Sequence, residues 1–205
     1  MIYKTGITGG AGSGKTLFCS HLENLGAIRI DADQVGREVV DSNKSVQAAL
    51  RAAFGDVFFD RSGLLKRREL GRHVFKHPAE RQKLNQIVWP HLLEKIRRRM
   101  DNLPDNPSRL VVVDMAILFE AGVEAWFDEI VLVLSSDPIR KARLLKRENW
   151  TEEDADACLA NQGDYTLFAD RCTVIENNHT VDALKALADH FYQTRMERIR
   201  NSLDF

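Results

Sequence analysis

Residues 9–16, Gly-Gly-Ala-Gly-Ser-Gly-Lys-Thr, constrain this chain more than any other stretch. They fit G-x-x-x-x-G-K-[ST] without exception, after a largely apolar run at 2–8 and before a helical pattern that opens at Lys15. Glycines let successive backbone N–H groups turn toward one concavity, and the helix that follows adds the partial positive charge of its N-terminus. The expected cradle for ATP phosphates is therefore Gly10, Ala11, Gly12, Ser13, Gly14, Lys15 and Thr16. Lys15 is expected to neutralise the β and γ phosphates as a catalytic group, and Thr16 to place its hydroxyl on Mg2+. The bland alternative is a glycine-rich turn with an exposed lysine. The complete motif in its strand-to-helix setting argues against it.

Such a loop serves kinases, GTPases and motor ATPases alike. A GTPase normally carries a guanine-reading Asn-Lys-x-Asp after a later strand. The Asn-Lys pair here is Asn43-Lys44-Ser45-Val46, which lacks the Asp and falls in the wrong place. A motor is usually longer than 205 residues. A small-molecule kinase fits best.

Short apolar runs at 2–8, 27–30, 110–114, 129–134 and 173–175 read as strands. Helical patterns lie between them, at 15–25, 45–53, 67–75, 79–100, 138–149, 151–161 and 181–200. The alternation predicts an α/β fold: a three-layer P-loop NTPase core on a parallel sheet, with a helical insertion and a helical lid. The continuous runs Leu110-Val111-Val112-Val113 and Ile130-Val131-Leu132-Val133-Leu134 suit central strands covered on both faces. Pro90 is expected to kink the long middle helix or divide it, and 101–108 reads as a loop. The expected division is a nucleotide core at 1–31 and 109–205, with a lid at about 138–155. Residues 32–108 form a helical excursion far longer than a crossover needs, and are expected to bind substrate rather than decorate the core.

Charge narrows the partners. With 29 basic and 30 acidic residues the net charge is −1, so no global field draws nucleic acid or an anionic membrane. No stretch approaches roughly 18 consecutive apolar residues, so no membrane span is expected. Cys19, Cys158 and Cys172 are too scattered for a disulfide framework or a metal cluster. The phosphate loop follows Met1 too closely to leave room for a secretory leader, and a cytoplasmic monomer is the expectation.

Around the loop, the second strand ends in Asp31-Ala32-Asp33. Carboxylates at the carboxyl end of such a strand are placed to meet an acceptor hydroxyl. Asp33 is the candidate to orient that hydroxyl and take its proton, with Asp31 holding substrate or magnesium. The alternative is that one of the pair caps the next helix. Asp114 closes an apolar strand in the hhhhD pattern of a magnesium-linked acid. Arg140, Arg143 and Arg147, at spacings of three and four, share a helical face, with Lys141 and Lys146 nearby. Arg143 and Arg147 are expected in a lid that brings charge to the triphosphate. The competing reading is a solvated basic helix paired with Glu148, Glu152 and Glu153. Lys66-Arg67-Arg68 could hold an anionic acceptor, whereas Arg97-Arg98-Arg99 reads as the wet face of the long helix.

These residues resemble one family, the dephospho-coenzyme A kinases. The carriers are the loop from Thr8 to Thr16, Leu25-Gly26 leading to Asp31-Ala32-Asp33, and Arg37-Glu38-Val39-Val40. Leu65-Lys66-Arg67-Arg68-Glu69-Leu70, Val74-Phe75, Leu84-Asn85 and Ile117-Leu118-Phe119-Glu120 follow in order. Arg147, Gln162, Ala169-Asp170 and Ile175-Glu176-Asn177-Asn178 complete the pattern. The resemblance implies transfer of the ATP γ-phosphate to the ribose 3′-hydroxyl of dephospho-CoA, the last step of coenzyme A synthesis, with Mg2+. It implies Asp33 as the acceptor-activating acid, Arg67 as a substrate contact, Arg147 as a lid arginine and Asn177 near the adenine. The chain departs from the family at Ala116, usually proline, at Trp89-Pro90-His91, usually His-Pro, and at Arg140, usually glutamine. The alternatives are a P-loop kinase for another nucleotide or small alcohol, and a non-catalytic nucleotide-binding regulator. An acceptor-side acid beside an intact Gly-Lys-Thr argues against the regulator.

Overall fold

The computed structural model describes residues 2–103, 109–147 and 150–202, and at position 76 the backbone only. Residues 104–108 of the expected loop, and Glu148 and Asn149 of the expected lid, lie outside the described residues. In chain order the elements are β1 (Ile2–Thr8), α1 (Lys15–Asn24), β2 (Ile28–Asp31), α2 (Ala32–Ser42), α3 (Lys44–Phe54), α4 (Arg67–Lys76) and α5 (Pro78–Asp101). Then come β3 (Arg109–Asp114), β4 (Glu129–Leu134), α6 (Asp137–Leu145), α7 (Glu152–Ala160), β5 (Thr173–Glu176) and α8 (Val181–Asn201). The chain divides into two compact units, one of residues 1–30 with 104–205 and one of residues 31–103.

The first unit is built on a five-stranded sheet of order β2-β3-β1-β4-β5. β1 pairs in parallel with β3 and with β4, and β4 with β5. The register sets Gly6 beside Val113 and Ile7 beside Asp114, so β3 ends level with the start of the phosphate loop. Alternation sends Tyr3, Ile7, Leu110, Val112, Val131 and Val133 to the face covered by α1 and α8. There Phe18 and Phe191 meet with ring centroids 5.8 Å apart. Val111 and Val113 are as fully buried as Leu110 and Val112, as expected when both faces are covered. On the far face Gly6 is closed over by Leu118 and Phe127, whose atoms would lie 2.5 and 2.7 Å from an added Cβ. No helix among the described residues is long and apolar enough to cross a membrane.

The second unit is helical. Asp31 caps α2, its Oδ1 accepting from Gln34 N at 3.0 Å, and Asn43 caps α3, accepting from Ser45 N at 3.0 Å. α2 had no helical pattern assigned from sequence. It folds because Val35, Val39 and Val40 make one buried face against α5, where Leu92, Ile96 and Met100 are buried. Across the same contact Glu38 takes Lys95 at 3.0 Å and Arg99, and the Arg99 hydrogen bond leads in holding its carboxyl below the usual range. Pro90 does not divide α5, which runs unbroken from Pro78 to Asp101. A proline removes one donor from the ladder, and burial of the following turns outweighs that loss.

At the amino-terminal edge of the sheet Glu129 gathers the strands. It accepts from Arg195 Nε at 2.7 Å, Thr173 Oγ1 at 2.6 Å and Tyr3 Oη at 3.4 Å, tying β4 to α8, β5 and β1. Burial alone would raise its carboxyl, but the Arg195, Thr173 and Tyr3 bonds together carry it below the usual 4.5. A depressed carboxylate adds stability above the unfolded-state value, and that contribution is lost as pH falls through the folded one. Glu129→Gln should therefore lower unfolding free energy by about 2 kcal/mol at pH 7, less than for a fully buried pair because both partners keep some exposure. The deficit should shrink as denaturant melts are taken down through pH 4.5 toward 3. A deficit that stays constant over that range would contradict the assignment.

Candidate active site: the phosphate loop

The loop leaves β1 after Thr8, whose hydroxyl donates to Ala116 O at 3.0 Å, and turns tightly where Ser13 N meets Gly10 O at 3.1 Å. Gly14, at φ +95°, starts α1 in the left-handed region, and a Cβ there would overlap Asn177 Nδ2. Gly12, at φ +79°, lies under α6, where a Cβ would fall 2.7 Å from Arg140 O. Among the described residues no side chain caps α1, and no acid stands in its first turn. Its N-terminal N–H groups are thus left for a ligand, as an anion site requires.

What fixes this shape is a set of donors gripping the carbonyls of the loop. Asn177, 5% exposed at the end of β5, donates to Ser13 O at 2.7 Å. Arg143 on α6 reaches Gly12 O at 3.2 Å, Ser13 O at 3.3 Å, Ser135 Oγ at 3.2 Å and Asn177 O at 3.0 Å. Burial lowers its guanidinium pKa from the ordinary arginine value. Arg140 Nε donates to Ala11 O at 3.0 Å, and its other nitrogens hold Asp137 and Gln162. Gln162 Oε1 in turn accepts from Ala11 N at 3.0 Å. A cavity of about 380 Å³ opens beside this clamp, bordered by Gly10, Ser13, Ser136, Arg140, Gln162 and Tyr165. Burial first, with Glu120 behind it, pushes the Tyr165 phenol up to about 12, so it stays protonated and donates to Ala116 O at 3.4 Å.

On the other side of the loop lies a charged cluster. Asp114, 4% exposed, binds Lys15 Nζ through Oδ1 and Arg29 through Oδ2 at 2.6 Å. Thr16 is exposed in the first turn of α1. Among the described residues no group of three or more His, Cys, Asp or Glu side chains is placed to hold a metal. This donor set suits magnesium carried in on a nucleotide, since that ion keeps waters and phosphate oxygens and takes few protein ligands. Thr16 offers one oxygen, while both oxygens of Asp114 already face cations.

The predicted residues thus separate into groups. Gly10 to Thr16, Asp114, Arg143 and Asn177 converge on the loop. Arg143 and Asn177 do so as supports of its backbone, not as groups standing over an open site. Arg147 is exposed, its guanidinium 5.5 Å from the Trp150 ring. Of the solvated-helix pairings, Lys141 meets Glu152 at 3.5 Å and also Asp156 at 2.7 Å, a partner the sequence reading did not name. Glu148 lies outside the described residues. Asp31, Asp33 and Arg67 belong to the helical unit. Asp31 is a helix cap there, and Arg67 pairs with Asp41 and Arg37 O. Asp33 is exposed in the first turn of α2 and makes no hydrogen bond or ion pair among the described residues.

Sequence reasoning named Arg140 only as part of the basic face of the expected lid and Gln162 only as part of the family pattern, and it gave no site role to Ser135 or Arg29. Arg140 shares the helical face of Arg143, and Arg29 is a cation inside a short apolar strand beside the hhhhD acid. Those were the available signals. Replacing Asn177 removes a buried bond worth about 1–3 kcal/mol. Asn177→Asp, which cannot donate to Ser13 O, should weaken ATP and GTP equally, by about tenfold in equilibrium binding. Loss of ATP binding with GTP unchanged would instead make Asn177 an adenine contact.

Comparison with known proteins agrees with this geometry. The family model for dephospho-CoA kinase matches residues 3–183. A dephospho-CoA kinase of Geobacillus kaustophilus is 34% identical over 179 residues, 87% of this chain and 89% of that one. One of Moorella thermoacetica is 36% identical over 183 residues, 88% and 86% of the two chains. A solved structure of a Thermus thermophilus protein superposes with a TM-score of 0.75 at 26% identity, covering 93% of this chain and 97% of that one. The match runs over most of the chain, and this chain belongs to the dephospho-CoA kinase family.

Proposed function

We propose that this chain transfers the γ-phosphate of ATP to the ribose 3′-hydroxyl of dephospho-CoA, giving coenzyme A and ADP, in the cytoplasm and as a monomer. The observation that carries the reading is the clamped loop. Its glycines and the uncapped N-terminus of α1 present N–H groups and Lys15 to a polyphosphate, in a chain of this family.

In the proposed reaction Lys15 leaves Asp114 for the β and γ phosphates and draws off developing charge. Thr16 would hold magnesium, with the charge of Asp114 close by. The ion supplies neutralisation of the phosphate oxygens. Asp33 orients the acceptor hydroxyl and takes its proton as the O3′–Pγ bond forms and the bond from Pγ to the β-phosphate oxygen breaks, releasing ADP. As the cap of α2, Asp31 fixes the turn from which Asp33 projects, while Arg67 exchanges Asp41 for an anionic group of the acceptor. Arg147, exposed just beyond the end of α6, swings onto the transferring phosphate as the 138–155 segment closes. Arg143 and Asn177 act on ATP through the loop they hold. Residues 32–108 select the acceptor.

Mg-ATP with dephospho-CoA should release ADP, whereas nucleoside monophosphates or no acceptor should not. Release with a nucleoside monophosphate alone would reassign the acceptor, and release with none would favour a nucleotide-binding regulator. Asp33→Asn should lower kcat with dephospho-CoA by about 10²- to 10⁴-fold and leave ATP affinity within about threefold. Near-normal turnover in that variant would remove Asp33 from the reaction.

A further inference from the structure

Asp114 is a nearly buried carboxylate shared by two cations, and the reaction asks one of them to leave. Lys15 sits on Oδ1 and Arg29 on Oδ2, with 3% of the Asp114 side chain exposed and 11% of each cation. Lys15 is the mobile partner, a point charge on a flexible stem. Arg29 is the fixed one. It projects from β2, the neighbour of β3 in the sheet, and is braced by Ser20 Oγ at 2.9 Å and Glu23 at 3.7 Å, both on α1.

When a nucleotide arrives, its phosphates must take Lys15 from Asp114. If Lys15 were the sole partner, its departure would strand a buried carboxylate, the most unfavourable way to break such a pair. With Arg29 in place the carboxylate stays paired throughout. The guanidinium also occupies Asp114 Oδ2, so magnesium brought in with a nucleotide would be held by the phosphates and Thr16 rather than by that oxygen.

We propose that Arg29 is a positioning residue for Lys15: by keeping the Asp114 carboxylate paired, it frees the loop lysine to move to the nucleotide phosphates. This rests on the reading of Lys15 as a phosphate ligand and is independent of the acceptor, so it is tested without one. Equilibrium binding of ATP to the full chain is measured in EDTA and again in magnesium, alongside thermal melts. Arg29→Met should raise the ATP dissociation constant about tenfold or more in EDTA, because Lys15 is then retained by Asp114. The penalty should be smaller in magnesium, where the ion can approach the vacated carboxylate oxygen. Arg29→Lys should recover most of the affinity, and adding Asp114→Asn to Arg29→Met should recover it without restoring the charge.

If Arg29→Met folds poorly, Arg29→Gln keeps a hydrogen-bond donor without the charge and takes its place in every arm. Arg29→Met binding ATP within twofold of the parent in EDTA would overturn the inference. So would an equal penalty in both media with no recovery on Asp114→Asn, the pattern of a purely structural arginine. Failure of the parent chain to bind ATP at all would instead reject the phosphate-ligand reading.

Discussion

A phosphate loop works only if its peptide groups face one way, and here that direction is imposed from outside by donors on its carbonyls. Asn177 and Arg143 hold Ser13 O, Arg143 also holds Gly12 O, and Arg140 holds Ala11 O. A planar trans peptide puts each carbonyl opposite the N–H that follows it. Fixing the carbonyls of Ala11 and Ser13 on the clamp side therefore turns the N–H groups of Gly12 and Gly14 away from it. The donors come from different elements, Asn177 from the end of β5 and the arginines from α6. The parallel sheet brings those ends together because β1, β4 and β5 all finish at the same edge.

The same convergence explains the charge arrangement. β3 ends at Asp114 beside the loop, and β2 places Arg29 next to it. Around a net −1 chain this gives a local site with two fixed guanidinium groups on one flank and a lysine and arginine sharing one carboxylate on the other. In the proposed reaction, binding of a polyanion is then a redistribution of existing pairs. It needs no global field, in keeping with the even balance of acids and bases.

Much of this was legible in the chain because the signals were local. The glycine loop, the strands β1 and β4 and the helices from α4 onward follow from periodicity and punctuation, since each is specified by its own residues. α2 was missed because its apolar face is only three valines wide and becomes a helix when α5 covers it. α6 ends at Leu145, short of the expected 149, with Lys146 already outside the helix. At the site, residue types were easier to foresee than orientations. The face shared by Arg140, Arg143 and Arg147 was readable, but not that the first two turn onto backbone carbonyls while the third stays in solvent. Likewise the sequence offered Asp31 as either a substrate ligand or a cap, and the observed bond to Gln34 N is a cap. Such choices depend on partners more than a hundred residues away, as with Asn177 and Ser13.

The central claim, that this clamped loop delivers the ATP γ-phosphate to one ribose hydroxyl, is tested most directly by locating the transferred phosphate. Phosphorus NMR of the product from dephospho-CoA and Mg-ATP, with proton–phosphorus coupling at the ribose, would do so. The account predicts one new phosphomonoester coupled to H3′, formed in step with ADP. A phosphate on another hydroxyl of the acceptor, or ADP without a new ester, would contradict it.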